Sequence, residues 1–515
     1  MMPRRRTLLL AAIPALFIGY LFIYPVTRIL ALGLSELGTG GLALEARLFR
    51  VGWFTLWQAT ASTVLTVFLA APLTWALARF EFRGRRLASA AVTVPFVLPT
   101  VVVGTAFVAM GWRGSVWAIL AAHVFYNIAV VVRTVGGLWS NLDPSLEESA
   151  RVLGASSWQA FHKVTLPLLA PSILAAAAIV FLFTFTSFGV VLILGGFRYA
   201  TLEVEIYRQA VSLFDLPLAA TLAIVQIVGV VAALTIYSRH AERRTRGMTL
   251  RSDRSTRRRP RGRERAVVAL ITVGTLGLQA IPVTFLIAGA ASARSFARLL
   301  SDDRVVGRPI DSVWRSLGIA LVATIIALVV GILAAQVVSH RNRWSRWFDS
   351  VLMLPLGTSA VTVGFGFLVA LDWPIDLRGG LVLIPLAHAL VAVPFVVRTA
   401  TPTLRSIRPE IREAAAVLGA SPKRVWREID LPIVARAALV GAGFAFIISM
   451  GEFGATSFVA RSSTATIPVM IFRLLGRPGQ LSFAMAMAMA AILAVVTALV
   501  VLGIDRFRSQ ELGTF

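Results

Sequence analysis

Two stretches decide how this chain folds: NLDPSLEESARVLGASSWQAFHKVTLPLLAP at 141–171 and SIRPEIREAAAVLGASPKRVWREIDLPIVAR at 406–436. A shift of 265 residues superimposes them without a gap. The same shift pairs His123 with His388, Arg133 with Arg398, Phe188-Gly189 with Phe453-Gly454, Thr201 with Thr466 and Arg208 with Arg473. The match extends over about ninety residues, so the chain is an internal repeat. Each stretch carries the same punctuation. Asp143 suits an N-cap and Pro144 the first helical position, with Glu147 and Glu148 favouring the positive end of the helix dipole. Gly154 then ends the helix as a C′ residue, and Ser156 with Gln159 has capping-box spacing for a second short helix. Pro409, Glu413, Gly419 and Ser421-Pro422 take those roles in the second copy, and Leu166-Pro167 and Leu431-Pro432 mark the turn back into the next apolar run. Helix, glycine break, helix is the expectation for both.

The sequence around these loops is apolar. Of 515 residues 57% are hydrophobic and only 15% charged, against about 25% charged in soluble chains. Mean hydropathy is +0.80. Apolar runs sufficient to cross a bilayer, roughly 20 residues each, fall near 7–32, 52–78, 88–111, 116–139, 170–196 and 217–238, then 266–291, 314–338, 347–371, 379–402, 434–460 and 481–504. The fold class is therefore all-α and polytopic: about twelve transmembrane helices in two six-helix halves, 1–238 and 266–515. Because each half has an even number of spans, the halves are parallel pseudosymmetric repeats. Residues 239–265 form a basic, apolar-poor linker, expected to be disordered. Arg4–Arg6, Arg79, Arg83, Arg85 and Arg86, the linker, and His340 with Arg341, Arg343 and Arg346 all sit where the positive-inside rule places cytoplasmic segments. Both termini and both repeated loops, near 143–166 and 408–431, are thereby expected on the cytoplasmic side. The run Thr7–Leu32 is too long for a signal-peptide core and reads as a first span.

The net charge of +25 does not indicate nucleic acid, because the arginines cluster between apolar runs. There is no cysteine, which excludes disulfides and thiolate metal sites, and the five histidines are scattered. No GxxxxGK[ST] loop occurs, so any ATP must be bound by another subunit. No cofactor and no metal site is expected in this chain.

EESARVLGASSWQAFHKVTLPLLAP and REAAAVLGASPKRVWREIDLPIVAR resemble the EAA loop of type I ABC importer permeases. That resemblance covers both halves. It implies a pore subunit whose loops insert coupling helices into two copies of an ATP-binding subunit, fed by an extracytoplasmic substrate-binding protein in a bacterial inner membrane. The residues it marks for docking are Glu147, Glu148, Ala150 and Gly154, with Glu413, Ala414, Ala415 and Gly419; the first copy reads Glu-Ser-Ala for Glu-Ala-Ala. Fused chains of this kind resemble the thiamine and ferric-iron permease branches. Segments 187–226 and 451–476 look more like the thiamine branch, which makes thiamine the expected substrate and ferric iron the alternative, with sulfate, molybdate and polyamine behind them.

Candidate pathway residues come from ionisable groups at membrane depth. Glu452 lies within the eleventh run, opposite Ser187 in the repeat, and His123 and His388 occupy equivalent places. Each also has a plainer reading as a hydrogen bond between packed helices. Arg133 and Arg398 suit snorkelling ends, and Trp53, Trp57 and Trp314 suit interfacial anchors. Pro95, Pro99, Pro355 and Pro394 are expected to kink or interrupt their helices. An ion-coupled secondary transporter is the rival from another class; it has no use for two matched loops. A membrane enzyme would need clustered acids or metal ligands at one depth, and none is visible.

Overall fold

The computed structural model describes residues 4–37, 42–242, 257–291, 293–301, 307–340, 342–374, 376–378 and 380–509. These are helical throughout, with one isolated backbone bridge, Phe80 to Arg258. Helices long and apolar enough to span a bilayer are α1 (Leu10–Glu36), α2 (Ala46–Arg79), α5 (Val116–Trp139), α7 (Ser157–Phe185), α8 (Leu216–Arg239) and α9 (Arg263–Ala290) in the first part of the chain. They continue with α10 (Asp311–Val338), α13 (Leu383–Ser406), α15 (Pro422–Gly451) and α16 (Gln480–Ile504). Between them stand two bent pairs, α3 (Arg85–Val97) with α4 (Thr100–Ala109), and α11 (Arg343–Gly357) with α12 (Ala360–Ala370). Among the shorter helices are α6 (Ser145–Val152) and α14 (Pro409–Val417), which carry the repeated loops. Among the described residues this makes 10 spans, or 12 if each bent pair is one.

The bent pairs correct the expected runs 88–111 and 347–371, which are not continuous helices: each turns by 97°. In the first pair Leu98 is extended (ψ 137°) ahead of Pro99, which clashes with a helical predecessor and donates no N–H. In the second pair Thr358 and Ser359 are extended (ψ 145° and 149°), and Ser359 Oγ accepts from Thr362 N at 3.0 Å to start α12. Pro394 does not interrupt: α13 runs through it. Runs five and eleven end early, at Phe185 and Gly451, each succeeded by a short helix, Gly189–Leu194 or Thr456–Val459.

The helices gather into two compact units that do not coincide with the sequence halves. One holds Met1–Gly40, Ile206–Ile224 and Ala290–Phe515; the other holds Gly41–Glu205 and Val225–Gly289. The reason lies in where apolar surface finds cover. In the first unit, Ala11, Ile18, Leu21 and Phe22 of α1 share a core with Ala323, Ala327 and Ala334 of α10 and with Leu390 of α13. Small residues let the backbones approach, as they do generally between membrane helices. A Cβ on Gly366 of α12 would stand 2.8 Å from Cβ of Pro25. In the second unit Val268 of α9 packs on Ala76 and Phe80, and Ile271 and Leu276 lie against the core of α2, α5 and α7. The linker 239–265 is not disordered where it is described: 239–242 continue the preceding helix, 257–262 are hydrogen-bonded and Arg263 opens α9, while 243–256 lie outside the described residues.

Candidate functional site

Each repeated loop folds into a rigid prong. In the first, Asp143 Oδ1 accepts from Ser145 N at 3.0 Å, an N-cap bond at the start of α6. Gly154 ends it with φ +92°, a left-handed conformation that disfavours any side chain. Its N–H donates to Arg151 O at 2.9 Å, and Ala155 N–H donates to Ala150 O at 3.0 Å, the two bonds of a Schellman ending. The capping box then closes as expected, Ser156 N to Gln159 Oε1 at 2.9 Å and Gln159 N to Ser156 Oγ at 3.2 Å. The second prong repeats the turn: Gly419 has φ +81° and donates to Ala416 O at 3.0 Å, and Ala420 N–H donates to Ala415 O at 2.9 Å. Ser421 Oγ accepts from Arg424 N at 3.3 Å to begin α15.

The tips expose side chains that a soluble surface hides. Val152 and Leu153 are each 87% exposed, and Val417 and Leu418 are 87% and 86% exposed. Burying a side chain of this size on a partner contributes roughly 1.5–3 kcal/mol. The apolar pair stands at the helix end beside the glycine, with half-exposed Leu146 or Ile411 two turns earlier on the same face, while Glu148, Ser149 and Arg151 are exposed as well. Glu413, Ala414 and Gly419 are exposed in the second prong, with Ala150 and Ala415 half-buried at their turn carbonyls. Sequence reasoning missed the tip residues, although Val-Leu-Gly-Ala-Ser recurs unchanged at 152–156 and 417–421.

Glu147 differs from the other marked residues because it faces its own chain. It accepts from Arg79 Nη2 at 2.7 Å and from the hydroxyl of Thr165, tying α6 to the end of α2 and to the start of the next span. Under the 265-residue shift Glu147 becomes Arg412 and Thr165 becomes Asp430. Arg412 Nε donates to Asp430 Oδ1 at 2.8 Å. Both prongs are thus braced across the same eighteen-residue separation with opposite polarity.

The pathway candidates form two buried junctions. His123, on α5, has Ser62 Oγ 2.9 Å from Nδ1 and Ser187 Oγ 2.9 Å from Nε2. His388, on α13, has Ser449 Oγ at 2.7 Å from Nδ1 and Thr456 Oγ1 at 2.7 Å from Nε2, with Glu452 Oε2 3.2 Å from Nε2. Glu452 is not inside a helix: it is the C-cap of α15, and its carboxylate accepts from Ala455 N (2.7 Å) and Thr456 N (2.9 Å), capping the short helix Thr456–Val459. All four side chains are buried and bonded, as hydrogen-bonded contacts between packed helices would be. Arg133 donates to Thr93, and Arg398 stands 3.5 Å from Asp349. Sequence reasoning also missed two carboxylates. Glu203 is fully buried and accepts from Gln226 Nε2 at 2.8 Å, while buried Glu205 pairs with Arg47. They lie in the short helix Leu202–Tyr207, between the fifth and sixth apolar runs, and the repeat places Pro468 and Met470 opposite them.

Two apolar crevices recur at repeat-equivalent places. One, about 650 Å³, lies among Leu174, Phe181, Phe185 and Ile236; the other, about 350 Å³, lies among Leu439, Phe446, Val500 and Ile504.

With two braced prongs on a duplicated set of spans, the chain has the form of a transport pore subunit, and sequence comparison agrees. It belongs to the binding-protein-dependent transport system inner membrane component family, whose profile matches residues 69–247 and 327–509. It is therefore a multi-pass inner-membrane permease of an ABC importer, without catalytic chemistry of its own, and its family implies an ATPase and a substrate-binding protein as partners. The thiamine transport system permease protein ThiP of Brucella suis biovar 1 (strain 1330) is 28% identical over 513 residues, 92% of each chain. That of Salmonella typhimurium is 27% identical over 464 residues, 84% of each chain. A probable ABC transporter permease protein, y4fN, of Sinorhizobium fredii is 25% identical over 502 residues, covering 83% of this chain and 86% of the relative.

Proposed function

We propose that the chain is the pore subunit of a thiamine importer, that both termini and both prongs face the cytoplasm, and that each prong seats in one of two identical ATP-binding subunits. The observation that carries the docking is the pair of exposed tips, Val152-Leu153 and Val417-Leu418, each set on a Schellman turn and each braced from behind. Glu148, Ala150 and Gly154, with Glu413, Ala414, Ala415 and Gly419, complete the two surfaces; Glu147 belongs to the brace. ATP is held by the partner subunits, and this chain carries no cofactor. The thiamine reading is supported by likeness to thiamine permeases along nearly the whole chain.

The cycle is alternating access. A loaded binding protein engages the outer face, the ATP-binding subunits close, and their motion is passed through the prongs to the spans. Differential contacts in the two states drive the change. His123, His388, Ser187 and Glu452 serve as cross-ties that keep each unit's helices in register. The test is uptake in proteoliposomes holding this chain, its ATP-binding subunit and its binding protein. ATP-dependent accumulation of labelled thiamine is expected. Accumulation of ferric iron, sulfate, molybdate or a polyamine, with none of thiamine, removes the substrate assignment and leaves the importer.

A further inference from the structure

The end of the basic linker is not a free tether. Residues 257–264 pair with the segment just after α2, whose last residue, Arg79, holds Glu147 of the first prong. Arg258 N–H donates to Arg79 O at 3.2 Å, and Glu81 N–H donates to Arg258 O at 3.0 Å. The Arg258 guanidinium lies 4.8 Å from the centroid of the Phe80 ring, itself 1% exposed, and forks onto Glu264 at 2.7 and 2.6 Å. Arg257 stands 3.7 Å from Glu81. Backbone bonds, a cation over a ring and a two-pronged ion pair together fix the peptide that carries Arg79.

The second half closes the same helix end differently. Val338 O, at the end of α10, accepts from Arg405 Nη2 and from Ser345 Oγ, both at 2.9 Å, and the prong brace is Arg412 on Asp430. All of these groups lie within the second half of the sequence. Among the described residues, only the first prong is backed by the linker.

We propose that residues 257–264 form a clip that positions the first prong through Arg79 and Glu147, so that the linker joining the two halves sets the stiffness of one coupling element and not of the other. Arg258 and Glu264 are positioning residues, remote from any substrate. The inference goes beyond the docking assignment, and its first readout does not need the ATP-binding subunit, so either can fail without the other.

Hydrogen exchange is measured on the full chain in detergent or nanodiscs, for wild type, Arg258→Ala, Glu264→Gln and Arg258→Lys. Loss of the fork and of the ring contact is expected to speed exchange in peptides covering 145–160 by about three- to tenfold. Peptides covering 409–425 should keep the wild-type rate and serve as the folding control in the same molecule. Arg258→Lys, which keeps the charge over the ring but loses the fork, should fall between. In the reconstituted transporter the ratio of substrate moved to ATP hydrolysed should drop for Arg258→Ala and recover in part for Arg258→Lys. Equal acceleration of both prongs, or of neither, overturns the proposal.

Discussion

Replacing Gly154 and Gly419 together by alanine separates the prong's shape from its surface. Both glycines sit at positive φ, +92° and +81°, and no atom lies within 4 Å of the place a Cβ would occupy. The cost within this chain is therefore backbone strain alone, about 1–2 kcal/mol at each turn. That corresponds to a factor of roughly 5–30 in the ratio of formed to opened turn. Asparagine tolerates the left-handed region far better, so Gly→Asn adds bulk at the tip with little strain. Hydrogen exchange over 145–165 and 409–430 should accelerate for the alanine pair and much less for the asparagine pair. Retention of the ATP-binding subunit on affinity-purified permease should fall for both, through a disordered prong in the first and an obstructed surface in the second. If the alanine pair exchanges like wild type, the turns do not organise the prongs. If the asparagine pair retains the subunit fully, the glycines are not part of the contact.

The geometry sets three further outcomes. Leu153→Glu with Leu418→Glu should abolish retention of the ATP-binding subunit while leaving the thermal unfolding midpoint of the isolated permease unchanged, because both side chains stand in solvent. Asp430→Ala should loosen the second prong by about 1–2 kcal/mol, read as faster exchange over 409–425 with 145–160 unaffected, since it strips the partner from Arg412. Burial, and then the neighbouring Arg412, hold the His340 imidazole below its ordinary pKa, so its neutral form is the one the fold favours. Its contribution is present above the unfolded value, about 6.5, and is lost as pH falls below it. Exchange over 409–425 should rise relative to 145–160 between about pH 6.5 and pH 5, and His340→Gln should flatten that dependence.

The apolar runs and the repeat were legible because both are local or periodic: a span needs only length, and a duplication needs only alignment. The prongs were legible in detail, since Asp143, Gly154, Ser156 and Gln159 act on neighbours within three residues. The features that stayed hidden are those that hydropathy averages away. Pro99 and Pro355 marked the two bent runs for a kink, but the size of the bend and its place at Thr358–Ser359, three residues past Pro355, are lost to a sliding window that sees one span. Glu452 looked intramembrane and helical because its flanks are apolar, whereas its carboxylate is occupied in capping the next turn. Glu147 reads as a docking acid until Arg79, 68 residues away, is found holding it. The packing of α1 and α9 likewise depends on surfaces distant in sequence, which no local pattern encodes.

The proposed docking has coupling pass through two prongs, each taking hold of one ATP-binding subunit. The most direct measurement is the native mass of the assembly purified through a tag on this chain, with wild-type prongs and with either tip carrying a charge in place of Leu153 or Leu418. Two ATP-binding subunits per chain are predicted for wild type, with stepwise loss as one tip and then the other is changed. A single subunit on the wild type, or two still bound after both tips are charged, would contradict it.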